Sequence, residues 1–238
     1  MSVPLIKYLL QSYSRSRRYF GPLAGLMIAM ALFYSYKPNP VMNSYGATSV
    51  IQFICCAALG LSFLNHRHPV HKQITIVHLR SAKRYYTGEL FVLVLYAAVL
   101  ALCIVAYPLV TGSFGEPAGW PRIGFALTAH FLLGLLGIAV SLYLQSAWIP
   151  ETSYSTGLFL IVVVLSVGGS GIADKLPESI RGLRLLLPPA ASVMELFMRD
   201  DMPGTAKAAG VFGYTLFYSG VLITVYLWAA GKRDIARR

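Results

Sequence analysis

Long apolar runs alternate with shorter polar connections along the chain. The runs lie at about residues 20–36, 47–64, 90–110, 123–149, 156–172 and 209–230. About 20 helical residues, each rising 1.5 Å, cover the roughly 30 Å hydrocarbon layer of a bilayer. A lipid-facing barrel strand would instead alternate apolar and polar residues over about ten positions. The pattern therefore predicts an all-α membrane protein, with six transmembrane helices in a single transmembrane domain covering residues 1–238.

Residues 2–18 are too polar to cross a membrane but are apolar on one side. Val3, Ile6, Leu10 and Tyr13 recur at helical spacing, and Leu5 and Leu9 lie beside them. The opposite side carries basic and amide side chains. This pattern predicts an amphipathic helix in the cytoplasmic membrane interface. The alternative is a frayed basic tail.

The connection at 65–89 is long enough to hold a helix of its own. Val70, Ile74 and Val77 fall at helical spacing, and Pro69 suits a first helical turn. We therefore expect a short helix that lies across the membrane surface.

A second non-spanning segment precedes the last apolar run. Residues 185–199 are mostly apolar, with Pro188-Pro189 near their start and Asp200-Asp201 directly after them. About fifteen residues are too few to span a bilayer. The segment is therefore expected to be re-entrant or to lie at the outer interface.

The chain has a net charge of +11, although it is 56% hydrophobic and only 12% charged. The positions of the basic residues along the chain indicate why there are so many. With six spans, thirteen Lys and Arg residues fall on the side of both termini and the 65–89 loop, and seven fall on the other side. By the positive-inside rule both termini and that loop are cytoplasmic. Membrane topology accounts for the basic excess, so no nucleic-acid partner is expected.

The stretch HRHPVHK, at residues 66–72, suggests a metal site at first sight, because histidine is the commonest zinc ligand. His71 and His78 are two helical turns apart, about 10 Å, which is too far for one tetrahedral ion. The only carboxylate nearby is Glu89. We therefore expect no metal site, and leave open whether the loop histidines sense pH near 6.5.

No catalytic pattern is present, because the chain lacks H-E-x-x-H, G-x-S-x-G and a phosphate-binding G-x-x-x-x-G-K-[ST]. The chain is therefore expected not to be an enzyme and to hold no cofactor of its own. His130 is the one ionisable residue deep within a predicted span. It is either a hydrogen-bonded packing residue or an intramembrane polar or proton-relay group.

The order of these segments resembles the ABC-2 family, the permease subunits of ATP-binding-cassette exporters. An interface helix precedes the first span, and a basic loop ending in Arg80-Ser-Ala-Lys-Arg-Tyr-Tyr-Thr-Gly-Glu-Leu joins the second and third. A tight hairpin at 150–155 and a half-membrane segment before the sixth span complete the layout.

The resemblance implies partners and sites. A cytoplasmic ABC ATPase, present in two copies, would bind ATP and Mg²⁺, and a second permease protomer, identical or related, would complete the transporter in the cytoplasmic (inner) membrane of a prokaryote. The second-to-third loop would be a coupling helix, with these ATPase-contacting residues: His71, Lys72, Ile74, Val77, His78, Arg80, Lys83 and Arg84. The substrate path would run between protomers, with Gln52, Ser166 and His130 as candidate path residues.

The function predicted from the resemblance is export of an amphipathic peptide, lipid-like or drug-like substrate by alternating access. The alternative is a secondary transporter that works without an ATPase and uses His130 as a proton relay. That alternative predicts several charged residues at mid-membrane, whereas the predicted spans carry one histidine and no carboxylate there.

Overall fold

The structure, a computed structural model, describes residues 3–175, 187–198 and 202–235. These residues form nine α-helices and no β-strand. The helices are α1 (Val3–Ser16), α2 (Phe20–Phe33), α3 (Val41–Leu64), α4 (Pro69–Leu79), α5 (Ala82–Val110), α6 (Trp120–Leu144), α7 (Thr152–Lys175), α8 (Ala190–Glu195) and α9 (Thr205–Ile235).

Five of these helices are long and apolar enough to cross a membrane, namely α3, α5, α6, α7 and α9. The prediction of an all-helical chain with several helices able to cross a membrane is therefore confirmed for the described residues. The remaining predicted span corresponds to α2, which has 14 residues and would cover about 21 Å at 1.5 Å per residue.

All five spanning helices begin earlier than the apolar runs that predicted them, and the difference is largest for α3 and α5. α3 begins at Val41, directly after Pro40, and the Ser44 hydroxyl in its first turn donates to the Pro40 carbonyl. α5 begins at Ala82, where the Ser81 hydroxyl caps the helix by accepting from the Arg84 N–H at 3.3 Å. Hydropathy locates the apolar part of a helix, but the hydrogen-bonded helix begins at the capping residue.

α6 ends at Leu144, five residues before the predicted end of that span. Gln145 leaves the helical conformation, and its side-chain amide donates to the Leu142 carbonyl at 2.8 Å. This side chain satisfies a carbonyl that a longer helix would have satisfied with a backbone N–H.

The centre of the bundle is the pair α3 and α6, which makes the most extensive contact between helices. Glycines allow the close approach. A methyl group on Gly137 would clash with the Phe53 carbonyl oxygen and lie 3.0 Å from the Ala57 nitrogen, and one on Gly60 would clash with Ser141. Small residues at the crossing are what membrane helices need to approach one another closely.

The other spanning helices surround this pair. The most apolar stretches of α3 and α6 are 67% and 61% buried, whereas those of α7 and α9 are only 17% buried. α7 and α9 are therefore peripheral and present most of their side chains to the surroundings of the chain.

The amphipathic helix α1 packs against α5. Its buried stripe consists of Leu5, Leu9 and Tyr13, while Val3, which was expected on the apolar face, is 75% exposed. The three buried residues are spaced by four, so they lie one above another on a single helix face. The apolar face is thus rotated from the one expected around Val3.

In its described residues, 187–198, the predicted re-entrant segment forms one short helix, α8, which begins directly after Pro188-Pro189. Ala190, Val193 and Phe197 are buried, and the Phe197 side chain covers Gly46 near the beginning of α3. Residues 185, 186 and 199 of the predicted segment lie outside the described residues. The part that is described packs inside the bundle.

Candidate functional site

The helix α4 lies at one end of the bundle, and both of its ends are capped. The His68 side chain accepts from the Val70 N–H at 3.4 Å, and Pro69 occupies the first turn. At the other end Arg80 adopts a left-handed conformation, with φ 51°, and α5 begins two residues later. A left-handed residue ends a helix sharply, so α4 and α5 form a defined corner.

The apolar stripe predicted for α4 faces away from the rest of the chain. Val70 is 50% exposed, Ile74 is 53% exposed and Val77 is 69% exposed, whereas Ile76 is buried in the core. α4 is therefore attached to the core through Ile76 and the partly buried Leu79, and presents a separate apolar face outward. Large apolar residues grouped on one exposed face are typical of an interaction surface.

An ion pair also ties α4 to the spanning helix α5. The Lys72 ammonium lies 3.7 Å from the Glu89 carboxylate, and the Tyr85 hydroxyl donates to the same carboxylate oxygen at 2.7 Å. Glu89 is only 1% exposed. A carboxylate buried to this degree requires a compensating charge and hydrogen bonds. Lys72 and Tyr85 supply them at Oε1, whereas the buried Oε2 has no hydrogen-bond partner among the described residues.

Arg67 extends this polar cluster to α1. Its Nε donates toward the Ser12 hydroxyl at 3.1 Å and toward the His66 Nε2 at 3.2 Å, and its guanidinium lies 4.4 Å from the centre of the Tyr8 ring. A longer contact of 3.5 Å joins Arg67 to the Tyr85 hydroxyl. Through these contacts α1, the end of α3, α4 and α5 share one polar cluster, which we call the corner cluster: Ser12, His66, Arg67, Lys72, Tyr85 and Glu89.

His66 is held as a neutral imidazole within this cluster. The pKa of His66 is lowered to about 4, chiefly by burial and also by the nearby cation of Arg67, although a hydrogen bond to the Phe63 carbonyl acts in the opposite direction. The geometry agrees with this direction, because Nε2 accepts from the Arg67 guanidinium and therefore carries no proton. His66 is thus neutral at pH 6.5, the ordinary pKa of histidine.

The structure distributes the eight predicted ATPase-contacting residues over three environments. Lys72 turns inward to Glu89. Ile74 and Val77 lie on the outer face of α4, and His71 and Arg80 are exposed as well. The remaining three residues line a cleft between α1, α4 and the start of α5: His78, Lys83 and Arg84.

The three candidate path residues are buried within the chain. His130 is fully buried, with Nδ1 2.7 Å from the Ala126 carbonyl and Nε2 3.0 Å from the Thr48 hydroxyl. The Gln52 amide donates to the Ala97 carbonyl at 3.0 Å, which links α3 to α5. The Ser166 hydroxyl donates to the Val162 carbonyl of its own helix. Each has a hydrogen-bonding role in packing, and a place beside a path between two chains stays a prediction.

The histidines do not form a cluster of potential metal ligands in the part of the chain that the structure describes. No group of three or more His, Cys, Asp or Glu side chains there is close enough to share an ion. The histidines of the HRHPVHK stretch have separate roles instead. His66 belongs to the corner cluster and His68 caps α4, while His71 is exposed.

Sequence reasoning missed the importance of Arg67, Tyr85 and Glu89. Glu89 had been noted only as the nearest carboxylate to the histidines. A signal was present, because a carboxylate directly beside a long apolar run must be paired when the helix containing it enters the bundle. The identity of its partner depends on how α4 folds back, and the sequence spacing does not give that.

Comparisons of the chain with protein-family models, with curated proteins and with solved structures returned no match. The resemblance to ABC-2 permeases therefore rests on the order and lengths of the segments described above.

Proposed function

We propose that the chain is the membrane-spanning permease subunit of an ATP-driven, ABC-2 type exporter, and that α4 is the coupling helix that a cytoplasmic ATPase binds. The observation that carries this proposal is a helix with two different faces. One face is apolar and exposed, and the other is attached to a spanning helix through Ile76 and the ion pair between Lys72 and Glu89.

This arrangement suits the transfer of motion from a motor to a membrane domain. A displacement of α4 moves Lys72, and the ion pair carries that displacement to Glu89 in α5. Arg67 carries it to α1 through Ser12 and Tyr8. ATP and Mg²⁺ bind in the partner chain, and the permease contributes a different affinity for the partner in each of its two states.

We further propose that α2 crosses the membrane as a sixth span. Two sets of contacts at opposite ends of α3 support this. Before α2, the Arg18 carbonyl accepts from the Ser62 hydroxyl near the end of α3. After α2, the Asn39 N–H donates to the Ser113 carbonyl beyond the end of α5, next to the beginning of α3. The segment from Arg18 to Asn39 therefore runs the full length of α3, although its helical part is short.

With six crossings both termini lie on the side of α4, which the charge distribution assigns to the cytoplasm. We propose the cytoplasmic membrane of a prokaryote as the location. The large exposed apolar surfaces of α7 and α9 are suited to lipid and to a second permease protomer. A path between two such apolar walls favours an amphipathic substrate, either a peptide, a lipid-like or a drug-like molecule.

Co-purification tests the proposal. The full chain is expressed with candidate ATPase subunits, in wild-type form and with Val77→Asp on the outer face of α4. Val3→Asp is the matched control, because Val3 is also exposed, apolar and outside the spanning helices. We expect an ATPase to co-purify with the wild type and with the Val3 variant, and to be lost from the Val77 variant.

Two results would overturn the proposal. One is transport by the purified chain without any ATPase, which would favour the secondary-transporter alternative. The other is equal retention of the ATPase by both variants, because the outer face of α4 would then not be the contact.

A further inference from the structure

A cleft of about 790 Å³ opens between α1, α4 and the start of α5. Its walls come from three separate elements, and the residues that line it are Leu5, His78, Leu79, Ser81, Lys83, Arg84 and Thr87. Leu5 and Leu79 supply apolar wall, whereas His78, Lys83 and Arg84 supply groups that can donate hydrogen bonds to an anion.

Lys83 and Arg84 in this cleft make no ion pair with the carboxylates whose side chains the structure describes. The ion pairs of Lys72 with Glu89 and of Arg122 with Glu116 lie elsewhere. The first turn of α5 contains no acidic residue and carries both Lys83 and Arg84. The start of a helix bears a partial positive charge, so two cations there repel it and favour a bound anion.

The position of the cleft indicates the source of that anion. One wall is the amphipathic helix α1, and another is the start of α5, a helix apolar enough to span the bilayer. Basic clefts at the mouth of a membrane bundle suit the phosphate of an anionic lipid, and nearby apolar walls suit its acyl chain. We propose that this cleft binds the phosphodiester headgroup of an anionic phospholipid.

This site differs from the ATPase contact proposed above and does not depend on it. Ile74 and Val77, on the outer face of α4, do not line the cleft, whereas His78, Lys83 and Arg84 do. Of the basic residues predicted to contact an ATPase, Lys83 and Arg84 are therefore assigned to lipid.

The test uses the full chain in nanodiscs of phosphatidylcholine alone and of a phosphatidylcholine and phosphatidylglycerol mixture. Thermal unfolding is measured in both, and native mass spectrometry in detergent follows the binding of added phosphatidylglycerol. The test variant is Lys83→Gln with Arg84→Gln. The matched control is Lys7→Gln with Arg15→Gln, which removes the same charge from exposed positions of α1.

We expect phosphatidylglycerol to raise the unfolding temperature of the wild type and of the α1 control. The Lys83 and Arg84 variant should lose this increase and bind the lipid about thirtyfold more weakly, since each cation near an anionic lipid contributes a factor of about five. In phosphatidylcholine alone the same variant should be at least as stable as the wild type, because two charges repelled by the helix start have been removed.

Three results would overturn the inference. Equal weakening by the two double variants would indicate diffuse attraction to the membrane rather than a cleft. A lower unfolding temperature of the Lys83 and Arg84 variant in phosphatidylcholine alone would assign these cations to the internal structure. Protection by inorganic phosphate without protection by phosphatidylglycerol would assign the cleft to a free anion.

Discussion

At the scale of single residues, Glu89 is a buried carboxylate whose cost depends on its partners. Its carboxylate is buried at the start of a spanning helix, and one of its two oxygens accepts from Tyr85 and faces the ammonium of Lys72. A buried charge without its partner is far more costly than either the complete pair or a neutral pair of similar shape. Substitution of one partner should therefore lower the stability more than substitution of both partners.

We expect Glu89→Gln to lower the free energy of unfolding by about 1 to 3 kcal/mol. The glutamine keeps an oxygen that can accept from Tyr85 but leaves the ammonium of Lys72 without a counter-charge. This cost is below the roughly 3 to 5 kcal/mol of fully buried pairs because the Lys72 side chain is 15% exposed and can reach water. Chemical or thermal unfolding of the purified protein in detergent measures it.

The double variant Lys72→Met with Glu89→Gln should recover most of this loss, to within about 1 kcal/mol of the wild type. It removes both charges and keeps the length of both side chains. Lys72→Met alone completes the comparison. If the loss of stability in the double variant equals the sum of the losses in Lys72→Met and Glu89→Gln, the two side chains do not interact and the pair does not connect α4 to α5.

His66 gives the corner cluster a defined pH dependence. Its pKa is about 4 in the folded protein because of burial, and near 6.5 in the unfolded chain. Between these values the unfolded chain binds more protons, so the stability of the fold rises with pH there. The contribution of His66 is fully present above pH 6.5 and is lost progressively as the pH falls toward 4.

We therefore expect the stability difference between the wild type and His66→Gln to shrink as the pH falls from 7.5 to 4.5, since glutamine does not titrate. Unfolding temperatures across this pH range provide the measurement. His71→Gln is the control, because the His71 side chain is exposed and lies outside the corner cluster. A difference that stays constant across this range would show that His66 has an ordinary pKa in the folded protein.

At the scale of helices, the contact between α3 and α6 depends on the absence of side chains. We expect Gly137→Ala to lower the free energy of unfolding by about 1 to 3 kcal/mol, because the added methyl group meets the backbone of α3 at Phe53 and a backbone moves less readily than a side chain. The measurement is again unfolding in detergent.

Gly124→Ala is the matched control for this prediction. Gly124 lies in the same helix, and an added methyl group there has nothing within 4 Å. Alanine is the better helix former, so this variant should be as stable as the wild type or slightly more stable. Equal destabilisation by the two variants would mean that the loss at Gly137 does not come from the packing of α3 on α6.

The helices themselves were largely predictable from the sequence, because each apolar run is long and a continuous run has few alternatives in a membrane. Their ends were less predictable. Pro40 and Ser81 start helices ahead of the apolar residues, and Gln145 ends one within them. These ends depend on individual hydrogen bonds, which hydropathy does not record.

The sequence was sufficient to predict that the candidate site lies on α4, but not which side chains contact one another there. Spacing placed Val70, Ile74 and Val77 on one face of a short helix, and they do share one exposed face. Spacing could not show that Lys72 turns inward to Glu89, because that contact joins two helices across a corner. Predicting a contact between two helices requires the fold. Predicting which residues share one face of a helix requires only the helical period.

At the scale of the whole molecule, the open question about topology concerns the short helix α2. Cysteine labelling with a membrane-impermeant maleimide addresses it, in a background where Cys55, Cys56 and Cys103 are replaced by alanine. Val3→Cys lies before α2 and Tyr36→Cys after it, and both positions are 75% exposed. If α2 crosses the bilayer, these two cysteines should be labelled from opposite sides.

Gln73→Cys in α4 and Trp120→Cys at the start of α6 form the control pair, because α5 lies between them and has 29 residues, more than enough to span. We expect Val3→Cys to be labelled with Gln73→Cys and Tyr36→Cys with Trp120→Cys. This grouping follows from the contacts of α1 with Arg67 at one end of the bundle and of Asn39 with Ser113 at the other. Labelling of Val3→Cys and Tyr36→Cys from the same side would leave five crossings and put the two termini on opposite sides. The fixed positive charges of α1 would then lie on the side away from the 65–89 loop, which contradicts both the charge distribution and the packing of α1 on α5.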